Sequence, residues 1–412
     1  MKNAFRYAME WAYKHRWIAE KMRQAIEFSP VTVLSGARQT GKSTLLKHEV
    51  PFKDWPYFTL DDPDVHEMAD KNPDELVAIH PQMIIDEVQK SPRLLSTIKK
   101  YVDRDRDLRF VLSGSANLLL MKNITETLAG RCIYFELLPF ASGEYLSKPF
   151  PQWFKKPPPD MALDSGSPMT VKETGLFRGF LPPVMFLDKE SHIADWWNGY
   201  IKTYLERDLR DLSQISNIPD FRRMMTLIAA QSAQILNQSG VSRSAGISQP
   251  TVNRYINLLE ISGLFMKLKP YSKNIKKRIV KSPKAYFLDT GLICSLTGIK
   301  QATMIDVNIK GRLFETWVFH NLSVIASVLG GELFYLRKQG GLEREIDFIF
   351  EIDGKLYPIE VKASEKVTLK DAENMELLKD TLPHWETGLV IYNGTTLQKL
   401  RKDVIAVPAG ML

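Results

Sequence analysis

Residues 36–43 read GARQTGKS and follow directly on the apolar run VTVL at 31–34. The order fits G-x-x-x-x-G-K-[ST] at the end of a strand, and a helix-like stretch, TLLKHEV, comes next. No other feature restricts the fold so strongly. The strand delivers the chain to a loop whose backbone N–H groups converge, and the helix start adds unpaired donors of its own. Such a loop suits phosphate oxygens. Gly36 and Gly41 admit backbone angles and a close approach that a Cβ would block. Lys42 is placed to reach the β- and γ-phosphates of a nucleotide, and the Ser43 hydroxyl to ligate Mg²⁺.

The surrounding pattern agrees. Short apolar runs at 57–60 (YFTL), 83–86 (MIID), 109–112 (RFVL) and 133–137 (IYFEL) alternate with helical stretches. Buried strands separated by helices imply a parallel sheet covered on both faces. The run MIIDE ends in Asp86 and Glu87. An aspartate at a neighbouring strand tip can hold the Mg²⁺ shell, and the next glutamate can polarise the attacking water. Two solvated acids are the plainer reading. RFVLSGSAN ends a strand in Ser113 and Ser115, which either sit between the carboxylates and the γ-phosphate or cap a helix. Arg131, between a helix and a strand, either contacts phosphate in its own chain, acts as a finger on a neighbouring subunit, or makes a structural salt bridge.

Composition excludes several classes. The 412 residues include 25% charged and 44% hydrophobic types, ordinary for a globular protein and too apolar for a disordered one. No run reaches the length of a membrane span, and the N-terminus lacks the apolar core of a secretory signal. Cys132 and Cys294 stand far apart, giving no zinc motif or disulfide framework, as expected in a reducing cytoplasm. The formal charge of +7 is compatible with nucleic acid without requiring it.

The spacing of Phe5, Met9, Tyr13, Trp17, Met22 and Ile26 predicts a helix over 5–27. The stretch at 148–168 is rich in Pro, Gly and Ser and reads as a linker or exposed loop, followed by a helical segment over 190–215. Residues 239–263 read as two helices joined at Gly246, with Ser248 capping the second and Pro250 in its first turn. Val252, Tyr255, Ile256, Leu258 and Leu259 make a buried stripe. Gln249, Thr251, Asn253 and Arg254 would face a nucleic-acid groove, and the strand LFMKLKPY follows as a wing. From Ile261 to Leu288 there is no acidic residue, while eight lysines and arginines occur between Lys267 and Lys284. That run suits backbone phosphates, so DNA or RNA is expected through 248–284; a lid or a solvated face is the rival.

The C-terminal region carries a second chemical pattern. Asp347 falls on one strand of an expected hairpin turning at Asp353-Gly354, and Glu360 and Lys362 fall on the other. Glu360 and Lys362 share a face because strand side chains alternate. Glu315, on the preceding helix, is a third carboxylate. Such carboxylates can hold Mg²⁺ against a scissile phosphate while the lysine activates water. Solvated strand ends are the alternative.

The signature GARQTGKSTLL, YFTLDD, IIDEVQ, LSGSA, LAGR and ELLPF resembles the AAA-type ATP-binding proteins of bacteria and archaea that carry a C-terminal domain of unknown function. The similarity continues through LFRGFLPPVM, YLERDL, PKAYFLDTGL and FETWVFHNL. It implies ATP binding and hydrolysis with Mg²⁺, and a homo-oligomer. The set Glu315, Asp347, Glu360 and Lys362 resembles the PD-(D/E)XK nucleases. The expected α/β architecture is therefore a P-loop ATPase core with its N-terminal helix (1–147), a linker and helical segment (148–215), a winged-helix-like module (216–285) and a nuclease-like domain (286–412). The nucleotide set is Gly36, Arg38, Gln39, Thr40, Gly41, Lys42, Ser43, Thr44 and Ser113, and the catalytic residues are Glu87, Lys42 and Arg131 at that site and Glu360 and Lys362 in the C-terminal domain. Ser43 and Asp86 form one metal set, and Glu315, Asp347 and Glu360 the other. Function then divides between an ATP-driven nucleic-acid enzyme and a nucleotide switch that binds a protein partner.

Overall fold

A computed structural model describes residues 12–115, 126–151, 169–208, 215, 217–272, 282–338, 344–382 and 384–412. The apolar runs form β1 (Val31–Ser35), β2 (Tyr57–Thr59), β3 (Gln82–Asp86), β4 (Arg109–Ser113) and β5 (Cys132–Glu136). They make one parallel sheet in the order β2-β3-β4-β1-β5. Period-two alternation divides its core. Val31, Val33, Met83, Ile85, Phe110 and Leu112 pack under the helix Pro92–Arg104. On the opposite face Leu34, Ile84 and Val111 pack against Ile18, Met22, Leu45 and Leu46. Both faces are covered, as a parallel sheet of continuous apolar strands requires.

The N-terminal helix starts later than its spacing predicts. It spans Ile18–Phe28, and residues 12–16 run without regular structure. Residues 5–11 of the expected helix lie outside the described residues. The difference has a local cause. Glu144 accepts from the Trp17 backbone N–H at 2.8 Å and pairs with the buried Arg16 guanidinium at 3.1 Å. Those contacts hold the chain out of the helix before Ile18.

The middle of the chain is helical, with helices Glu173–Arg178, Pro182–Met185 and Glu190–Tyr200, the last continuing as a wider π-type turn to Asp208. The remainder of the helical segment expected to 215 is described only at Ile215. Helices Ile218–Ala230, Gln238–Ala245 and Gln249–Ile261 follow. Gly246 takes the left-handed conformation between the last two, and the Ser248 hydroxyl accepts from Thr251 N–H. Val252, Tyr255, Ile256 and Leu259 are buried, whereas Leu258 is only half-buried. A three-stranded sheet closes the module: β6 (Gln234–Ile235), β7 (Phe265–Leu268) and β8 (Lys284–Phe287), with β8 central. Lys273, Lys276, Lys277, Arg278 and Lys281 lie outside the described residues.

Asp289 ties this region together. Its buried carboxylate accepts from the backbone N–H groups of Phe180, Leu181, Gly291 and Leu292 at 2.7–3.3 Å. It caps the helix Thr290–Leu296 and holds the LFRGFLPP segment to it. A long helix, Val307–Leu329, then crosses to the C-terminal sheet. That sheet comprises β9 (Glu332–Lys338), β10 (Arg344–Ile352), β11 (Lys355–Lys362), β12 (Gly388–Tyr392), β13 (Gln398–Arg401) and β14 (Val404–Pro408), in the order β13-β14-β12-β11-β10-β9. The β10–β11 hairpin turns at Asp353 and Gly354, both left-handed, as a two-residue hairpin prefers. One apolar core continues from Trp197 through Tyr286 and Phe319 to Ile359 and Leu389. Among the described residues no helix is long and apolar enough to cross a membrane.

Candidate nucleotide-binding site

The loop after β1 lies at the carboxyl end of the parallel sheet, where α/β sheets take ligands. A Cβ on Gly36 would fall 2.4 Å from the Leu137 carbonyl oxygen, so the loop needs glycine there. Lys42 is buried, and its ammonium donates to the Gly36 and Ala37 carbonyls at 3.0 Å. Burial pushes it down to about 8, against the pull of Glu87 and Asp86. Thr40 is buried and donates to the Ala37 carbonyl, whereas Arg38, Gln39 and Thr44 are exposed on the outer side of the loop.

Ser43 and Asp86 meet as the spacing suggests. The Ser43 hydroxyl donates to Asp86 Oδ2 at 2.7 Å, and the Tyr57 hydroxyl donates to the same oxygen. A hydroxyl and a carboxylate side by side are oxygen donors that suit Mg²⁺. Glu87 stands at φ 57°, a left-handed angle rare outside glycine, which turns it out of the strand. Burial, then the Asp86 charge, raises its carboxyl above the usual range. Its side chain accepts from Gln89, which also donates to Ser115 at 3.3 Å. Ser113 ends β4 between β1 and β3, buried and with its hydroxyl unpartnered. Arg131 makes a two-point pair with Asp103 at 2.5 and 2.9 Å, the salt-bridge alternative for this residue.

Three contributors were not foreseen. Arg16 donates to the Thr40, Leu138 and Pro139 carbonyls as well as pairing with Glu144, clamping the loop to the exit of β5. Tyr200 donates to the Arg38 carbonyl at 3.2 Å. A Cβ on Gly263 would lie 3.2 Å from Ala37 N, so the end of the Gln249–Ile261 helix abuts the same loop. Their partners are too distant in sequence for a local pattern to mark them. Beside the loop a cavity of about 130 Å³ is lined by Tyr13, Gln39, Thr44, Phe140, Pro182 and Phe186.

The C-terminal carboxylates also converge, with a cation among them. Lys284, on β8, lies 3.1 Å from Glu315, 2.5 Å from Glu345 and 3.6 Å from Asp347. Tyr286 donates to Glu315 at 2.6 Å. Asp347 Oδ2 accepts from Val361 N–H, and Lys362 pairs with Glu360 at 2.9 Å. Burial, reinforced by Asp347, raises Glu315 to about 7 and Glu360 to about 8. Among the described residues no three Asp, Glu, His or Cys side chains are placed to hold a metal together. The expected metal set thus has cations among its donors, with Lys284 between Glu315 and Asp347 and Lys362 beside Glu360, and as arranged these oxygens do not fit Mg²⁺.

Known proteins match along the whole chain. Residues 28–146 match the model of an AAA domain. Residues 172–303 and 310–412 match two domains of unknown function, DUF8612 and DUF4143. An uncharacterized protein of Mycobacterium tuberculosis is 30% identical over 411 residues, covering 97% of this chain and 84% of the relative. The chain belongs to the same family as that mycobacterial protein, and it carries an AAA domain. An uncharacterized protein of Methanocaldococcus jannaschii is 24% identical, with 90% and 84% covered. A Walker-type ATPase of Pyrococcus abyssi overlays with a TM-score of 0.43 at 16% identity, covering 68% of this chain and 94% of that one. The matched AAA domain contains the five-stranded parallel sheet described above.

Proposed function

We propose that this chain binds and hydrolyses ATP, and that its middle module transmits the nucleotide state to a bound nucleic acid. The observation that carries the first part is the Ser43–Asp86 contact with Glu87 next in sequence. Ser43 and Asp86 are the residues that would hold Mg²⁺, which supplies charge neutralisation on the β- and γ-phosphates. Lys42 turns from the Gly36 and Ala37 carbonyls to those phosphates. Glu87 orients the attacking water and accepts its proton. The cavity beside Gln39 and Thr44 offers flat apolar walls to a nucleobase.

The nucleic-acid part is supported by the exposed Gln249, Asn253 and Arg254 at the start of the helix that follows Gly246. The contacts of Tyr200 and Gly263 with the loop give that module a route to sense the γ-phosphate. Phosphodiester cleavage is not part of this proposal, because the C-terminal carboxylates do not fit a metal as they stand.

ATP turnover of Lys42→Ala and Glu87→Gln, with and without DNA or RNA, tests the reading. Lys42→Ala should lose tight binding, and Glu87→Gln should bind without hydrolysing. Full hydrolysis in both variants would sink the ATPase assignment. Turnover unchanged by any nucleic acid would leave the ATPase and favour a protein partner.

A further inference from the structure

We propose that Lys284 is the resident cation of the C-terminal carboxylate cluster, a tethered ammonium that holds the place of a divalent ion and latches the middle module to the C-terminal domain. The inference is independent of the ATPase reading.

The geometry is specific. Three carboxylates from two elements surround one ammonium: Glu315 from the long helix, and Glu345 and Asp347 from β10. The lysine comes from a different sheet. Its side chain is only 3% exposed. Its backbone is fixed from both sides, because Lys284 is in register with Ile235 of β6 and Leu268 of β7. Tyr286, two residues along, shares its face and donates to the same Glu315. The β8 strand therefore presents a cation and a hydroxyl together to one carboxylate. Further along the cluster, the buried Glu360 keeps Oε2 without a hydrogen-bond partner.

A divalent ion needs carboxylate oxygens drawn in to about 2.0–2.6 Å, depending on the metal. The ammonium occupies that space and supplies a like charge beside it. Because β8 is bonded on both edges, Lys284 cannot withdraw its backbone without moving the sheet. Removing the ammonium alone leaves the half-buried Glu315 and Asp347 with no cation between them, an unfavourable like-charge pair that a metal would relieve.

The experiment is Mn²⁺ titration of the nucleotide-free full chain, read by electron paramagnetic resonance and by thermal unfolding. The site in question is defined as Mn²⁺ binding lost on Asp347→Asn, which separates it from Ser43 and Asp86. The wild type should show no such site. Lys284→Met should gain one, binding Mn²⁺ at least tenfold more tightly than the wild type. Its melting temperature should fall and then recover with Mn²⁺. If Lys284→Met folds only in Mn²⁺, the proposal stands. An Asp347-dependent Mn²⁺ site in the wild type would overturn it. So would a Lys284→Met protein that gains neither binding nor folded yield from Mn²⁺.

Discussion

Ser43 and Asp86, 43 residues apart in the chain, share a 2.7 Å hydrogen bond, and Tyr57 donates to the same carboxylate oxygen. Tyr57 sits on β2, where Thr59 pairs in register with Asp86. The phenol holds the carboxylate oxygen that Ser43 also holds and acts through it as a positioning residue. Such outer partners typically contribute 10–100-fold to metal affinity. Tyr57→Phe should therefore raise the Mg²⁺ concentration for half-maximal ATP turnover by roughly tenfold. Turnover at saturating Mg²⁺ should change little. A fall in saturated turnover with unchanged Mg²⁺ dependence would assign Tyr57 a different role.

The P-loop core was legible because its signals are local. GARQTGKS places a loop after a strand, and MIIDE places two acids at a strand tip. The alternation of apolar runs implies the parallel sheet. Strand alternation and one hairpin turn place Asp347 and Glu360 on adjacent strands, with Lys362 on the face of Glu360. What sequence could not show is long-range. Arg16 reads as one basic residue among several in YKHRW, yet it is buried because four partners converge from residues 40 and 138–144. Lys284 reads as the last member of a basic run, yet its neighbours are three acids, the nearest in sequence 31 residues away. The strands β13 and β14 are short, and only the pairing of β14 with β12 and of β13 with β14 makes them part of a sheet.

Arg16 carries a stability prediction. Both it and Glu144 are almost fully buried, and the pair is satisfied by further bonds on each side. Removing one member strands the other charge away from water. Arg16→Ala should cost about 3–5 kcal/mol in urea unfolding. It should also weaken ATP binding, because the Thr40 carbonyl loses its donor.

Asp289 makes a second one. Asp289→Ala would leave four buried N–H groups without an acceptor. At about 1–3 kcal/mol for each orphaned donor, partly relieved by water, the loss should reach about 4 kcal/mol. Calorimetric unfolding checks it. A loss below about 1 kcal/mol would mean that the loop finds other acceptors.

The salt dependence of the proposed nucleic-acid binding checks the exposed cations. Arg254 lies at the helix start and Lys269 follows β7, both open to solvent. If each neutralises one phosphate, Arg254→Ala and Lys269→Ala should each reduce the slope of log affinity against log salt by about 1. Unchanged slopes would remove this face from the interface.

His320 gives the pH prediction. It lies fully buried on the long helix, and its Nε2–H donates to the Phe140 carbonyl at 2.9 Å, while Nδ1 has no partner. Burial is the main cause that holds its pKa down to about 4, against an ordinary 6.5, with the Arg16 charge adding to it. As pH falls through 6.5 the unfolded chain takes up the imidazole proton, and the folded chain does not until about 4. The unfolded state binds more protons in that window, so stability falls with acidification. The loss attributable to His320 should approach about 3 kcal/mol near pH 4. Raised carboxyl groups such as Glu315 and Glu360 act in the opposite sense, so the total curve mixes both signs. The difference between wild type and His320→Gln isolates the imidazole, because the packing change in the variant is independent of pH. Urea unfolding across pH 4–7 should show the wild type losing stability relative to the variant as acid is added. A constant difference would mean that the ring takes up its proton in the fold at the same pH as in the unfolded chain.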